Sequence, residues 1–164
     1  MTDARFEDGD DAPLRLIARD ADDLNVISTL VQDSVLTGAD LRYSKARRRF
    51  TLLLNRFRWE DESRAKASGR RVERVRSLLD LSDVTAVAHQ GLTRDNDTVL
   101  SLLSVDYTPD APGEPGEPAG PGRVVLTFAG DGALQLTVEC LEVELSDVTR
   151  PYAAPSGHVP HHPD

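Results

Sequence analysis

Cysteine is nearly absent from this sequence, and its scarcity excludes two kinds of structure. Cys140 is the single cysteine, so the chain can form neither an internal disulfide nor a zinc site built from four cysteines. Proteins without disulfides are typical of reducing compartments. Residues 1–12 also lack the basic start and apolar centre of a signal peptide. We therefore expect a cytoplasmic protein.

Long apolar runs and aromatic side chains are scarce as well. No stretch approaches the roughly 20 apolar residues that a membrane-spanning helix needs. Aromatic residues make up 5% of the sequence, so leucine and valine must form most of the core. The 164 residues, 39% of them hydrophobic, are enough for one domain with a sizeable core.

Positive charge is confined mainly to one part of a chain whose net charge is −9. Residues 42–76 contain 13 lysines and arginines against 4 acidic residues, and the rest of the chain contains 6 against 24. The acidic total argues against indiscriminate binding of polyanions, because the field of the whole protein repels them at long range. A concentrated basic surface could still bind an anion within a Debye length of about 8 Å.

The segment from Arg47 to Glu60 is predicted to be a central strand that carries this charge. Because side chains alternate along a strand, the segment has two faces. One face contains Phe50, Leu52 and Leu54, and the other contains Thr51, Leu53, Asn55, Phe57 and Trp59. Apolar residues on both faces predict burial on both sides. Arg56 and Arg58 share a face near the end of the strand, and together with the preceding arginines they predict a basic patch.

The remaining pattern predicts an α+β domain. Asp20 is placed to cap an amphipathic helix over residues 21–34, and the other periodic segments alternate as strands. We expect this helix to pack on a mainly antiparallel sheet of about seven or eight strands, or to plug one end if the sheet curls into a half-open barrel. The expected strands are 14–18, 41–43, 47–60, 71–81, 84–88, 98–107, 123–128 and 134–140.

Polar and proline-rich segments set the expected domain limits. Residues 1–12 read as a disordered acidic leader, 13–150 as a single domain and 151–164 as a disordered tail. Residues 109–122 hold 5 prolines and 4 glycines, which predicts a flexible hairpin tip inside the domain. Residues 60–69 read as an exposed loop. After Cys140 the strand either continues through a bulge to about Leu145, which we favour, or gives way to a short helix.

Several segments resemble one known family. The sequences LRLIARDADDLNVIS, LLLNRFRWE, VLSLL and VVLTFAGDGALQLTVECLEVEL look like an uncharacterised bacterial family, domain-of-unknown-function family 2948. The resemblance spans residues 14–147. It implies no activity, cofactor or catalytic residue that could be carried over to this chain.

The candidate binding residues are basic and aromatic side chains of the central strand. They are Arg47, Arg48, Arg49, Arg56, Phe57, Arg58 and Trp59. We predict a non-enzymatic cytoplasmic binding or adaptor domain that contacts a protein or small-anion partner through them. The first alternative is single-stranded nucleic-acid binding, in which arginines contact phosphates and rings stack on bases. No recognised RNA-binding signature supports it, and no membrane partner is expected.

An enzyme with an unrecognised carboxylate-based site is the second alternative. The sequence contains none of the common catalytic motifs, and His89 has no evident catalytic companion. Cys140 lies on an apolar strand face, where cysteine usually behaves as a small buried hydrophobe. The tail histidines His158, His161 and His162 lack the fixed geometry of a metal site. We therefore expect neither a metal nor a cofactor.

Overall fold

The computed structural model describes residues 12–69, 71–92, 95–114 and 116–153. It contains one sheet of eleven strands and two α-helices. The first half of the chain forms β1 Arg15–Ala18, α1 Ala21–Val31, β2 Ser34–Thr37, β3 Leu41–Ser44, β4 Arg49–Phe57, α2 Glu62–Ala67 and β5 Glu73–Leu81. The second half forms β6 Val84–Gln90, β7 Val99–Pro109, β8 Gly122–Phe128, β9 Gly132–Val138, β10 Val143–Asp147 and β11 Tyr152–Ala153.

The α+β class and the antiparallel sheet are confirmed. The strand order is β1-β10-β5-β4-β2-β7-β8-β9-β6, with β3 paired to β4 and β11 to β5. Every pairing is antiparallel. The path has two separate ends, β1 and β6, so the sheet is not a closed barrel.

Helix α1 begins where the sequence predicts. The side chain of Asp20 accepts a hydrogen bond from the backbone N–H of Asp23 at 2.8 Å, which satisfies one of the first free donors of the helix. Leu24, Ile27 and Val31 are buried in the same apolar cluster as the strands. Among the residues that the structure describes, neither helix is long and apolar enough to cross a membrane.

Helix α1 ends earlier than the predicted residue 34. Asp33 adopts a left-handed conformation with φ of 64°, which a helix cannot continue through. The chain then extends as β2, in which Ser34 and Leu36 are buried on alternate positions. A four-residue strand directly after a helix carries too little periodicity to be recognised from the sequence.

Two further predictions about local structure are wrong. Residues 60–69, expected to be a loop, contain most of a short 3₁₀ segment at Trp59–Asp61 and all of α2. Helix α2 buries Ala65 against Phe57 and Val72, and one alanine gives no visible apolar period. After Val138 the strand does not continue, because residues 139–142 leave the ladder and β10 pairs with β1 and β5 instead of β8.

Strand β4 occupies the centre of this arrangement, as predicted. It pairs with β5 on one side and with β3 and β2 on the other. Phe50, Leu52 and Leu54 are buried in the main core. The predicted turn between β3 and β4 is present, and Tyr43 pairs with Phe50 across it. The two ends of β4 carry the candidate residues.

Candidate functional site

The seven candidate residues do not form one surface. Arg47 and Arg48 precede β4 and Arg49 begins it, whereas Arg56, Phe57, Arg58 and Trp59 lie at or just beyond its other end. Arg56 lies seven positions after Arg49, which corresponds to roughly 23 Å along a strand. The two groups therefore lie at opposite ends of β4 and cannot form one contact surface.

Arg56 lies inside the protein. It follows Phe50, Leu52 and Leu54 on the inward face of β4, and it is fully buried. Its guanidinium meets two carboxylates, one from β10 and one from the 3₁₀ segment that follows β4. Nη2 donates to both oxygens of Asp147 at 2.9 and 3.1 Å. Nη1 and Nη2 donate to the two oxygens of Glu60 at 2.8 and 2.9 Å.

Ser77 and the backbone of Leu14 complete the hydrogen bonds around Asp147. The Ser77 hydroxyl donates to Asp147 Oδ1 at 2.7 Å and accepts from Arg56 Nε at 3.0 Å. The backbone N–H of Leu14 donates to Asp147 Oδ2 at 2.9 Å. This cluster joins β4, β5 and β10 to the residue before β1. We call Arg56, Glu60, Ser77 and Asp147 the buried polar cluster.

The electrostatics of the buried polar cluster keep its arginine charged. Burial alone would lower the pKa of Arg56, but hydrogen bonds and charge interactions with Glu60 and Asp147 outweigh it and raise the pKa above its ordinary value. Both carboxylates are occupied by these bonds. The cluster therefore has a structural role: its hydrogen bonds hold β4, β5 and β10 together, and each of its polar groups already has a partner within the protein.

Arg58, Phe57 and Trp59 also form contacts within the protein. Arg58 Nη1 lies 2.8 Å from Glu73 Oε1 and 3.6 Å from Asp61 Oδ2. Phe57 is buried, packs against Trp59 with ring centroids 5.2 Å apart, and lies under the guanidinium of Arg74 at 4.6 Å. The half-buried Trp59 donates its indole N–H to the carbonyl of Gln32 at 2.8 Å.

This burial corrects the predicted contact surface. Arg56, Phe57 and Arg58 are inside the protein and cannot touch a partner in the folded state. The burial of Arg56 could have been predicted from the sequence, because Arg56 lies on the same alternating positions of the strand as Leu52 and Leu54. Ser77 and Asp147 likewise share the period of the buried residues in β5 and β10. When polar residues of three strands each fall on the alternating positions that face the core, they indicate a polar cluster inside the protein.

The other end of β4 is exposed and basic. Arg42, Lys45, Arg47, Arg48 and Arg49 lie on β3, the turn and the start of β4, and all five are exposed. We call these five residues the basic hairpin. Arg48 Nη1 lies 2.9 Å from Glu139 Oε1, and Arg49 Nη1 lies 3.5 Å from Asp80 Oδ2. Within the described parts of the chain, Arg42, Lys45 and Arg47 have no carboxylate within 4.0 Å.

The two aromatic residues next to the basic hairpin, Tyr43 and Phe50, pack against the core. Phe50 is buried, and Tyr43 packs against it with ring centroids 6.3 Å apart. The Tyr43 hydroxyl donates to the carbonyl of Val84 at 2.9 Å. Phe50 therefore offers no face on which a base could stack, and the half-buried Tyr43 already packs on Phe50.

The described residues offer little for metal binding or nucleophilic catalysis. Across residues 12–69, 71–92, 95–114 and 116–153, no three histidine, cysteine, aspartate or glutamate side chains are grouped to hold a metal ion. The histidines of the tail lie outside the described residues. Cys140 donates its thiol proton to Asp83 Oδ2 at 2.9 Å, an arrangement that opposes formation of the thiolate.

Comparison with known proteins gives one match. The model of the family described as "Protein of unknown function (DUF2948)" matches residues 14–162, which confirms the resemblance seen in the sequence. No curated protein and no solved structure matches the chain.

Proposed function

The chain belongs to the DUF2948 family, whose description names no activity, and from its own residues we propose that it is a non-enzymatic, cytoplasmic binding domain. The basic hairpin is its contact surface, and an acidic segment of another protein is its partner. One observation carries the proposal: the five residues of the basic hairpin are exposed within residues 42–49, and in the described part of the chain Arg42, Lys45 and Arg47 have no carboxylate within 4.0 Å. They stand out in a chain whose net charge is −9.

Some exposed arginines elsewhere in the molecule are paired with carboxylates. Arg15 and Arg19 are also exposed, yet they lie 2.6 Å from Glu144 and 3.1 Å from Glu142. Exposed Lys66, Arg71 and Arg123 also have no carboxylate within 4.0 Å among the described residues, so the grouping of five cations within residues 42–49 is what distinguishes the basic hairpin. Neighbouring cations left without such partners repel one another, and an anionic partner would relieve that repulsion.

The layout of the charges favours an acidic polypeptide over a small anion. Arg42 lies on β3 opposite Thr51, and Arg49 lies on β4 opposite Ser44, so both project from the same face of the hairpin. Lys45 and Arg47 extend the charge around the turn. Three residues of strand span roughly 10 Å, a distance that a chain carrying several carboxylates covers better than one compact ion.

Capture from a lysate of the source organism tests the proposal. The bait would be wild-type protein, Lys45→Glu/Arg47→Glu, or the control Lys66→Glu/Arg71→Glu, which reverses two exposed cations around α2 and β5. Each capture would be run with and without nuclease. We expect wild type and control to retain the same acidic protein with and without nuclease, and the hairpin variant to lose it.

Two outcomes would overturn the proposal. Equal retention by the hairpin variant would show that the basic hairpin is not the contact surface. Loss of the captured material after nuclease treatment would favour nucleic acid as the partner. Circular dichroism of all three proteins would establish that the exposed substitutions leave the fold intact.

A further inference from the structure

Strand β6 forms one end of the sheet and has a single neighbour. It pairs with β9 over Val84–Gln90. Near its start, the Val84 N–H donates to the Arg48 carbonyl at 2.8 Å and the Val84 carbonyl accepts from Tyr43. From residue 85 to residue 90, no backbone hydrogen bond to anything but β9 occurs within the described residues. The other backbone edge of this stretch is available for pairing.

The other strands with one neighbour are shorter or protected by charge. Strands β1 and β3 have four residues each and carry Arg15 and Arg42. Strand β11 has two residues. Strand β6 has seven residues, VTAVAHQ, without lysine, arginine, aspartate, glutamate or proline. Natural proteins usually place such residues on edge strands to prevent pairing with another chain, and β6 lacks them.

The free part of β6 is also regular and exposed. The irregularity in its pairing lies between Val84 and Ala86, and from Ala86 to Gln90 each residue pairs in sequence with β9. Ala86, Ala88 and Gln90 are exposed. On the same outer face, their neighbours across the ladder are Thr137, Gln135 and Ala133, which are also uncharged. A neutral, regularly paired edge of this kind is a template for a further antiparallel strand.

We propose that β6 pairs antiparallel with β6 of a second copy of this chain, so that two sheets become one. Charge identifies the second copy as the occupant. A two-fold contact places each residue against the same surface of its partner, and like charges directly opposite each other are destabilising. In a chain with 28 acidic and 19 basic residues, an uncharged strand can meet itself without that cost. A charged segment would find no opposite charge on it.

Sedimentation velocity over a range from about 1 to about 500 µM tests this pairing, a range wide enough to detect weak association. The variants are Ala88→Lys, which puts a charge on the edge strand, and the control Gln135→Lys, which puts the same charge on the adjacent strand β9. We expect dimers of wild type and of the control. We expect Ala88→Lys to weaken dimerisation at least about tenfold, because two lysines meet near the two-fold axis.

A second measurement identifies the contacting strand directly. In a Cys140→Ser background, Ala88→Cys should form a disulfide between copies under mild oxidation, and Gln135→Cys should not. A monomeric wild type at every concentration would overturn the proposal, as would a dimer that tolerates Ala88→Lys. Slow hydrogen exchange in a monomer at those amides of residues 86–90 that do not donate to β9 would also overturn it, because another segment of the same chain would then cover the edge.

Discussion

Arg56 and Asp147 form a bidentate ion pair across a strand that lies between them. Arg56 is on β4, Asp147 is on β10, and β5 separates the two strands in the sheet. Nη2 of Arg56 reaches both Asp147 oxygens at 2.9 and 3.1 Å. Ser77 on β5 bonds both side chains. The pair is 91 residues apart in sequence, so it ties together distant parts of the chain.

We expect Arg56→Met to destabilise the protein by roughly 3–5 kcal/mol, because removing one partner leaves a buried charge uncompensated. Asp147 is 4% exposed in its side chain, so water cannot replace the guanidinium. Urea denaturation measures the effect. The double variant Arg56→Met/Asp147→Leu should recover part of the loss, since Glu60 retains 30% exposure and can turn toward solvent.

Arg48→Met is the matched control for this prediction. It removes an arginine from an ion pair with Glu139 in which both side chains are about half exposed, and such pairs contribute roughly 0–1 kcal/mol. A loss for Arg56→Met no larger than that of the control would contradict the structural role of the buried polar cluster.

Asp80 is expected to reduce stability at neutral pH. Desolvation raises its pKa, nearby Arg49 lowers it less, and Glu144 and Glu142 raise it further, so the net shift is upward. Among the residues that the structure describes, one of its oxygens, Oδ1, is buried without a hydrogen-bond partner. A carboxyl whose folded pKa exceeds its unfolded pKa contributes stability at low pH, and that contribution is lost as pH rises through the folded pKa.

We therefore expect Asp80→Asn to stabilise the protein at pH 7 by on the order of 1 kcal/mol, the scale of a buried unsatisfied acceptor. The gain should shrink as pH falls toward the ordinary aspartate range of about 4. Urea midpoints at several pH values measure both effects, with the exposed Asp106→Asn as control. Destabilisation at pH 7 would mean that the ion pair with Arg49 matters more than desolvation.

Cys140 should be a slow nucleophile. The hydrogen bond to Asp83, then burial, then the charges of Asp83, Glu142 and Glu139 raise the pKa of its thiol to about 11. Alkylation by iodoacetamide should therefore be slow at neutral pH and should increase through about pH 11, because the thiolate is the reacting form.

The substitution Asp83→Asn removes the charge while keeping a residue type that tolerates the left-handed conformation observed at this position, φ 57°. We expect the pKa of Cys140 to fall toward the ordinary thiol range near 8.5, and alkylation at pH 8 to become faster. The pH–rate profile of both proteins gives the thiol pKa directly. An unchanged profile would show that Asp83 does not control the thiol.

The sequence predicted those elements whose periodicity is long enough to read. The cap at Asp20, the β3–β4 turn and the alternation along β4 all follow from local rules. Even the burial of Arg56 follows from the period of Leu52 and Leu54. The identity of its partner does not, because the chain passes from β9, near one end of the sheet, to β10, near the other end, before Asp147 can meet Arg56.

The short elements and the pairing of charges could not be predicted from the sequence, because both depend on tertiary contacts. Helix α2 is defined by one buried alanine, Ala65, and β2 by two buried positions. The exposure of Lys45 and Arg47 could be expected, because both lie in the turn between β3 and β4. The pairing of Arg48 with Glu139 and of Arg49 with Asp80 depends on strands that approach only in the folded sheet. Tertiary contacts therefore decide which cations remain available.

The measurement that tests the central claim most directly is titration of a fluorescent oligoglutamate peptide, followed by anisotropy. The proteins are wild type, Lys45→Glu/Arg47→Glu and Lys66→Glu/Arg71→Glu, each at about 50 and 200 mM salt, since exposed charge interactions weaken as salt shortens the Debye length. We predict salt-sensitive binding by wild type, binding by the control within about threefold, and at least about tenfold weaker binding by the hairpin variant. Equal binding by wild type and the hairpin variant would contradict the assignment of the basic hairpin as the contact surface.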